Sequence, residues 1–511
     1  MTRTDNSLRN MKYAFLGQVV NLLLVFVTRR FFVSILGDEY NGLHGFLASI
    51  IGMLALAELG IGASIFYSLY KPIAENNQPK INALMKLFRK AYTIIGFVVA
   101  GIGIILLPFL PYLLRNFEGM EYIHTNIYVI FGLFLLNSAS GYFFVYKQSL
   151  LTATQNDYIN TNVRTFGMVI LNVLQIAFLY ITRNYLSYLI IQIIVNTSMN
   201  VILSRKADQM FPFIKEPSTE KLTREDVDEL KRNVKANTMH SLGGFLVFGT
   251  DNILIGMISG LAAVAHFNNY NIVLNGLATI FGVVFSSLTA SVGNLGASTG
   301  KETIQENFNV VNFLGFWIFG FSVTCLYILF NPFMTLWMGP YRLLSRPIVI
   351  MIIVNFYLKG MRRSTITYKD SLGLFWYDRW KPMVEAVINL GVSIFLGMHF
   401  GLFGILLGTA ISTLTTCFWI EPFVLYRYGF KSPLRDYFKR YGIYTLSALG
   451  VLLVTRMLVS LVTFEGVFGF ILLSIATIGL SNGLLALLFH RTREFQELLR
   501  IVKSKVLRRA A

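Results

Sequence analysis

Apolar runs of about twenty residues, each closed by a short polar turn, recur fourteen times along the chain. A helix of that length crosses the ~30 Å hydrocarbon core of a bilayer, and it meets its own backbone hydrogen bonds where no water can. The pattern predicts spans at 12–36, 42–70, 91–114, 125–146, 165–181, 185–203, 237–259, 268–297, 310–330, 347–361, 382–400, 402–421, 441–461 and 467–489. Two pairs are joined by almost nothing, at Arg183 and at Gly401, so their count rests on a break at those residues. The first run is full length and lacks a small-residue cleavage site, which predicts a retained helix in place of a cleaved signal peptide.

Composition agrees with this reading. With 55% hydrophobic and 14% charged residues and a mean hydropathy of +0.59, the chain has too little polar surface to coat a water-soluble globule of its size. Charge placement then sets orientation. Of the 44 Lys and Arg, 35 fall on one side if the N-terminus is cytoplasmic, four on the other (Arg115, Arg183, Arg342, Arg346) and five within spans. That positive-inside bias puts both termini in the cytoplasm and requires an even number of spans. Basic loops facing an anionic inner leaflet account for the net +18 without invoking nucleic acid.

Soluble chemistry finds no room. The longest polar loop, 205–236, is predicted cytoplasmic, and the outer turns are short. Cys325 and Cys417 lie in spans, where they read as small apolar residues and not as a disulfide framework. Gly300-Lys301-Glu302-Thr303 fails as a phosphate-binding loop, because position 295 is Leu and Glu302 replaces the hydroxyl residue. The six histidines are scattered, without the paired spacing of a metal site. Transport with no resident cofactor, driven by a proton or sodium gradient or by neither, is the leading class.

An internal repeat points to two halves. Asn10-Met11-Lys12 at the start of the first span matches Asn233-Val234-Lys235 before the seventh, and Leu47-Ala48-Ser49-Ile50 matches Leu277-Ala278-Thr279-Ile280. Six spans separate the copies, an even number, so the halves are parallel. The expected all-α architecture is a polytopic membrane protein of about 14 transmembrane helices: two six-helix lobes around a central cavity, plus two C-terminal helices. Its parts are an N-lobe at 1–204, a cytoplasmic loop at 205–236, a C-lobe at 237–425, two further helices at 426–489 and a basic tail at 490–511.

Charges inside the spans are where function should show, since each costs about 2.5–3.5 kcal/mol unless paired or wetted. On the first helix Gln18, Asn21, Thr28 and Arg29 fall within a third of the circumference, a polar stripe expected to line a cavity or face another helix. By helical rise, Arg29 and Glu58 on the next span lie at comparable depth. Two readings stand for Arg29: a structural ion pair with Glu58, or a guanidinium that binds anionic substrate. Arg30 points elsewhere and is able to snorkel to the outer headgroups. Asp251 and Asn252 occupy the corresponding depth in the seventh span. There Asp251 either carries a coupling ion, pairs with Arg29, or is bonded within the bundle. Lys359, with Arg362 and Arg363, sits at the cytoplasmic end of its span. Glu385, four residues after Lys381, reads as half of a surface pair. The basic amphipathic run 81–90 reads as an interfacial anchor or a coupling element.

Two blocks carry a resemblance. Thr28-Arg29-Arg30-Phe31-Phe32, Leu36-Gly37-Asp38-Glu39-Tyr40-Asn41-Gly42, Ala57-Glu58-Leu59-Gly60-Ile61-Gly62 and Tyr67-Ser68-Leu69-Tyr70-Lys71-Pro72 form the first. Lys369-Asp370, Gly373-Leu374-Phe375-Trp376-Tyr377-Asp378-Arg379-Trp380-Lys381-Pro382, Asn389-Leu390, Gly401-Leu402-Phe403-Gly404 and Gly408-Thr409 form the second. Together they resemble bacterial polysaccharide flippases of the Wzx type, members of the multidrug/oligosaccharidyl-lipid/polysaccharide exporter superfamily. The resemblance implies a two-lobed bundle in the bacterial cytoplasmic membrane. It implies a cargo of undecaprenyl-pyrophosphate-linked oligosaccharide repeat units, moved from inner to outer leaflet by alternating access, with a side portal near the first and eighth helices. Membrane lipids and a polysaccharide polymerase are the implied partners. Under it Arg29 and Arg30 bind pyrophosphate, Gln18, Asn21, Thr28 and Asn252 line the cavity, Glu58 and Asp251 serve ion coupling or gating, and Lys359, Arg362 and Arg363 guard the entrance. No covalent bond changes, so the protein is expected to be a transporter and not an enzyme. The alternatives are a cation-coupled multidrug antiporter and, from another class, a membrane polysaccharide polymerase or glycosyltransferase.

Overall fold

The computed structural model describes residues 3–58, 61–115, 117–216, 222–228, 230–232, 234, 238, 249–298, 301–462 and 466–500. The described residues are helical, without strands, and ten of their helices are long and apolar enough to cross a membrane. The chain is a multi-pass all-α membrane protein. It forms two compact units, Met1–Asn268 and Asn269–Ala511.

The first unit contains α1 (Arg3–Leu36), α2 (Asp38–Leu54), α3 (Ile61–Ala74), α4 (Gln78–Leu106), α5 (Ile127–Ala153), α6 (Asp157–Thr182) and α7 (Tyr185–Met210), together with the start of α8 (Asp251–Ser298). Asn77, Asn126 and Asn184 accept hydrogen bonds from Lys80, Tyr128 and Leu186 backbone N–H groups, capping the N-termini of α4, α5 and α7. Arg183, in left-handed conformation at φ +49°, closes α6 just before the Asn184 cap, so the closely spaced pair is two helices as expected. The second predicted span is not one straight helix: α2 ends at Leu54, a 3-10 turn runs Ala55–Glu58, and α3 begins at Ile61. Most of the seventh predicted span, 237–248, lies outside the described residues apart from 238, as does the tail beyond 500. Residues 251–268, expected with the C-lobe, belong to the first unit.

Lipid and protein faces of α1 separate cleanly. Leu16, Val19, Leu23 and Val27 form an exposed apolar stripe, which in a bilayer meets acyl chains. The other side packs on α6, where Gly17 lets Thr161 and Thr165 approach and the Thr28 hydroxyl donates to Asn172 Oδ1. Small residues and interhelical polar bonds are the usual means of association where water supplies no driving force. Across the unit, Gly42 of α2 lies against the Leu261 carbonyl of α8, and a methyl there would overlap backbone that cannot move aside. Gly42→Ala is expected to destabilise the protein by about 1–3 kcal/mol, read as a lower melting temperature in detergent. Gly132→Ala, with nothing within 4 Å of the added carbon, is the neutral control.

The helical residues from 224 on open with a reciprocal cap: the Thr223 N–H and hydroxyl donate to Asp226 Oδ2 at 3.1 and 2.8 Å, and the Asp226 N–H donates back to Thr223 Oγ1 at 3.2 Å. Lys80 Nζ donates to Asp226 Oδ1 at 2.8 Å, fastening this segment to α4. The Lys80 hydrogen bond, followed by the Thr223 bonds, holds the Asp226 carboxyl below its usual pKa of 3.8 despite some desolvation. A depressed carboxylate stabilises the fold above its unfolded pKa and loses that contribution as pH falls through the folded value. Acidification below the ordinary carboxylate range should therefore speed amide exchange at 223–226. Asp226→Asn should show the faster exchange already at neutral pH.

The second unit holds the rest of α8, then α9 (Lys301–Met338), α10 (Arg346–Ser371), α11 (Lys381–Thr415), α12 (Cys417–Val424), α13 (Arg435–Val459) and α14 (Gly466–Phe489). The α11 segment is two spans, as the sequence pattern predicts, broken at Gly401 with φ +58° and ψ −140°, a conformation that a side chain would oppose. The two halves fold back on each other. Gly404 and Gly408 sit against the backbone of Leu396 and Ser393, while Asn389 Nδ2 donates to Thr409 and Ser412 hydroxyls at 3.2 and 3.3 Å. The Gly-x-x-x-Gly spacing of the second sequence block thus serves close helix packing. α13 and α14 pack on α9, where Trp317 Nε1 donates to Asn482 Oδ1 at 2.9 Å and Phe316 stacks on Tyr444 at 4.4 Å.

Candidate functional site

Arg29 lies seven residues before the end of α1, about 10 Å by helical rise, and the Gly37 turn brings the first residues of α2 back beside it. Its Nη1 donates to Oδ1 of Asn41, a fully buried amide. Around this pair stands an aromatic wall. Phe32 meets Tyr188 edge-on at 4.9 Å and Tyr185 at 5.7 Å, Tyr40 meets Tyr185 at 5.3 Å, and His44 meets Phe134 at 5.1 Å. Tyr185 hydroxyl and His44 Nδ1 share a hydrogen bond of 2.9 Å, and Tyr40 hydroxyl shares one of 3.0 Å with Thr125. The first sequence block thus becomes legible atom by atom. Gly37 turns the chain, Asp38 and Glu39 open α2 where its dipole favours acids, Tyr40 joins the aromatic wall, Asn41 orients the guanidinium and Gly42 admits α8.

The charge on Arg29 is met by a neutral acceptor. Among the described residues no ion pair joins it to a carboxylate, and the side chain stays partly exposed. Glu58 has other company: it ends the 3-10 turn and accepts from the Tyr92 hydroxyl of α4 at 3.3 Å, beside Tyr142 of α5. The ion pair weighed from helical rise does not form, because the break at Leu54 removes Glu58 from a straight continuation of α2. Arg30 lies on the exposed face next to Phe31, as a snorkelling residue would.

The polar stripe on α1 divides between two surroundings. Thr28 is buried against Asn172, whereas Arg29, one residue and 100° further round, faces Asn41 and α7; Gln18 and Asn21 are partly buried. Asp251 is buried at the first position of α8, directly after a turn at 249–250, where an acid complements the helix dipole. Asn252 Nδ2 donates to Ser49 Oγ at 3.1 Å, tying α8 to α2.

In the second unit the basic trio separates. Lys359 and Arg363 are exposed, but Arg362 is committed to a buried ionic cluster. Arg362 Nε and Nη2 donate to both oxygens of Glu421 at 2.9 and 2.8 Å, and its Nη1 lies 3.6 Å from Glu385. Lys381 Nζ bonds Glu421 Oε1 and lies 3.9 Å from Asp378, which also holds Lys369. Glu385 is therefore not the surface partner of Lys381 that the i,i+4 spacing predicts. Glu385 is buried, Lys381 is half-buried, and each faces another element. The charged part of the second sequence block is a clamp closing the 372–380 turn over the ends of α10, α11 and α12.

The same arrangement of helices recurs in solved transporters. The lipid II flippase MurJ in an inward-closed conformation superposes with a TM-score of 0.64 at 13% identity, over 94% of this chain and 98% of that one. The fold is the MurJ and MATE fold. A mutant of the Vibrio cholerae MATE transporter VcmN covers 84% of this chain at a TM-score of 0.57 and 15% identity, with 99% of its own length matched. A Pyrococcus furiosus transporter of the MOP superfamily covers 82% at 0.53 and 16% identity, with 96% of its own length matched. No family model and no curated protein sequence matches the chain.

In the MurJ-like fold, several residues of the Arg29 site escape sequence reading. His44 looked like one more helix-end histidine, and Tyr185 and Tyr188, about 150 residues away in the chain, carried no local signal. Asn41 had one, since it lies in the first sequence block. Glu421 had a weak one: an acid at the end of an apolar run in a chain only 14% charged.

Proposed function

We propose that this chain is a flippase for undecaprenyl-pyrophosphate-linked oligosaccharide repeat units in the bacterial cytoplasmic membrane, moving them from inner to outer leaflet for polysaccharide assembly. The observation that carries this reading is Arg29: a partly exposed guanidinium at membrane depth, oriented by Asn41 and an aromatic wall, with a neutral acceptor in place of a carboxylate. A planar fork of donors suits diphosphate oxygens, and aromatic rings beside it suit sugar faces or a polyprenyl stem. Arg30 supplies a second cation towards the headgroups, and Lys359 and Arg363 stand at the predicted cytoplasmic entrance. Glu58, held by Tyr92, and Asp251 at the start of α8 are the groups for proton or sodium coupling, or for gating between states. Thr28 and Asn252 act indirectly, through Asn172 and Ser49. Both termini are cytoplasmic in this reading, and the polyprenyl chain stays in lipid while its head crosses.

A second reading, a cation-coupled small-molecule antiporter, draws support from the MATE neighbours. The longer match to the MurJ flippase, 94% of the chain against 84%, favours the flippase. Proteoliposomes separate the two. Fluorescent undecaprenyl-pyrophosphate oligosaccharide should become accessible to a membrane-impermeant quencher only with the protein present, while a cationic dye should not be effluxed. Dye efflux without lipid movement would give the antiporter instead. In the same vesicles Asp251→Asn should remove dependence on an imposed ion gradient, and an unchanged dependence would end that assignment.

A further inference from the structure

A cavity of about 230 Å³ opens in the first unit between α4, the last turns of α5 and α7, and the Pro212–Lys215 turn. Four cations line it, Lys86, Arg89, Lys147 and Lys215, against one carboxylate, Asp208. Lys147 Nζ lies 2.8 Å from Asp208 and Lys215 Nζ 3.5 Å from it, so one acid is shared between two lysines. Lys86 and Arg89 stand one turn apart on the exposed face of α4, and among the described residues neither makes an ion pair. The lining therefore carries a formal charge of +3. Tyr146 adds a phenol, Met85 and Ile214 an apolar side.

The walls are fixed in place. Leu84 and Phe88 bury the opposite face of this stretch of α4, and Asn82 Nδ2 donates to the Phe213 and Glu216 carbonyls at 2.9 and 2.8 Å. The run 81–90, expected at the membrane interface, is thus built into the unit as the first half of α4. Ordinary causes explain only part of the charge. Lys147 shares Asp208 with Lys215, but it lies outside the last turn of α5, and Lys86 and Arg89 lie in the N-terminal half of α4, so no helix C-terminus favours these three cations. The positive-inside bias accounts for basic residues on this side, not for four converging on one recess.

We propose that this cavity is a binding site for a phosphate group of high charge, a phosphomonoester or a diphosphate, distinct from Arg29 and independent of what the protein transports. The volume falls below the roughly 300–1,000 Å³ of a drug-sized pocket, which fits a headgroup and not a saccharide. Asp208 is the internal competitor: an arriving phosphate takes over the ammonium groups that the carboxylate now shares. The cavity lies at the end predicted to be cytoplasmic, where two sources offer this chemistry, soluble diphosphate and the phosphomonoester headgroup of an inner-leaflet lipid.

The test uses the full chain in detergent with inorganic pyrophosphate as probe, and in nanodiscs of phosphatidylcholine with or without phosphatidic acid. Lys86→Gln with Arg89→Gln, both on an exposed helical face, should weaken binding about tenfold or more, while Asp208→Asn should tighten it. In an Arg29→Ala background, which removes the proposed transport site, the pyrophosphate binding that depends on Lys86 and Arg89 should remain, which separates the two sites. Pyrophosphate binding that follows this order supports the site with a soluble ligand. The same order seen only with phosphatidic acid supports it with lipid as the source. Absence of both, or binding that is equal in the double variant, overturns it.

Discussion

Arg29→Ala should abolish transport while leaving a folded, membrane-inserted protein. The side chain's acceptor is the neutral Asn41 amide, so its removal strands no buried carboxylate. Asn41 loses one donor, a cost of about 1–3 kcal/mol that a multi-pass bundle tolerates. The loss to function is larger. Removing one partner of a desolvated charge contact costs about 2–5 kcal/mol, and about 30-fold in rate is already lost at the low end of that range. Arg29→Lys keeps the charge but not the planar fork, and should retain partial activity. Complementation of a flippase-deficient strain, with protein level and detergent melting as controls, reads all three forms. Full complementation by the alanine variant would remove Arg29 from the mechanism.

The largest effect on stability is expected at Glu421. This fully buried carboxylate holds Arg362 bidentately and Lys381 at once. Glu421→Gln leaves those two cations facing each other at low dielectric, and breaking a buried pair from one side costs about 3–5 kcal/mol. Lys381→Met should cost less, because Arg362 still occupies both oxygens of Glu421. The order of detergent melting temperatures, wild type above Lys381→Met above Glu421→Gln, checks the assignment. A Glu421→Gln protein as stable as wild type would show that the cluster contributes nothing to the clamp.

The two predictions also mark what the sequence could and could not reveal. Hydrophobic period and length were enough to place helices, down to breaks at Arg183 and Gly401, because in lipid the backbone must satisfy itself and span length is nearly constant. They also singled out Arg29 as a charge at membrane depth. What period cannot supply is the partner. Thr28 and Arg29 are neighbours in one polar stripe, yet one meets Asn172 on α6 and the other Asn41 on α2. A pairing of Glu58 with Arg29, one of the two readings open from the sequence, needs a straight second helix, and the break after Leu54 gives Glu58 to Tyr92 instead. Lys381 and Glu385 have the spacing of a surface pair, but each is claimed by a residue from another element: Glu421, 40 positions after Lys381, and Arg362, which precedes Glu385. Local spacing reports which side chains share a face; tertiary packing decides what that face meets.

The central claim is that a guanidinium at membrane depth recognises diphosphate, and headgroup preference tests it most directly. In proteoliposomes, flipping of pyrophosphate-linked and monophosphate-linked forms of one oligosaccharide should be compared for the wild type and for Arg29→Ala. The account predicts that the wild type prefers the pyrophosphate form and that the alanine variant loses the preference together with most of its rate. A wild type indifferent to the second phosphate, or an alanine variant that keeps the full preference, would contradict it.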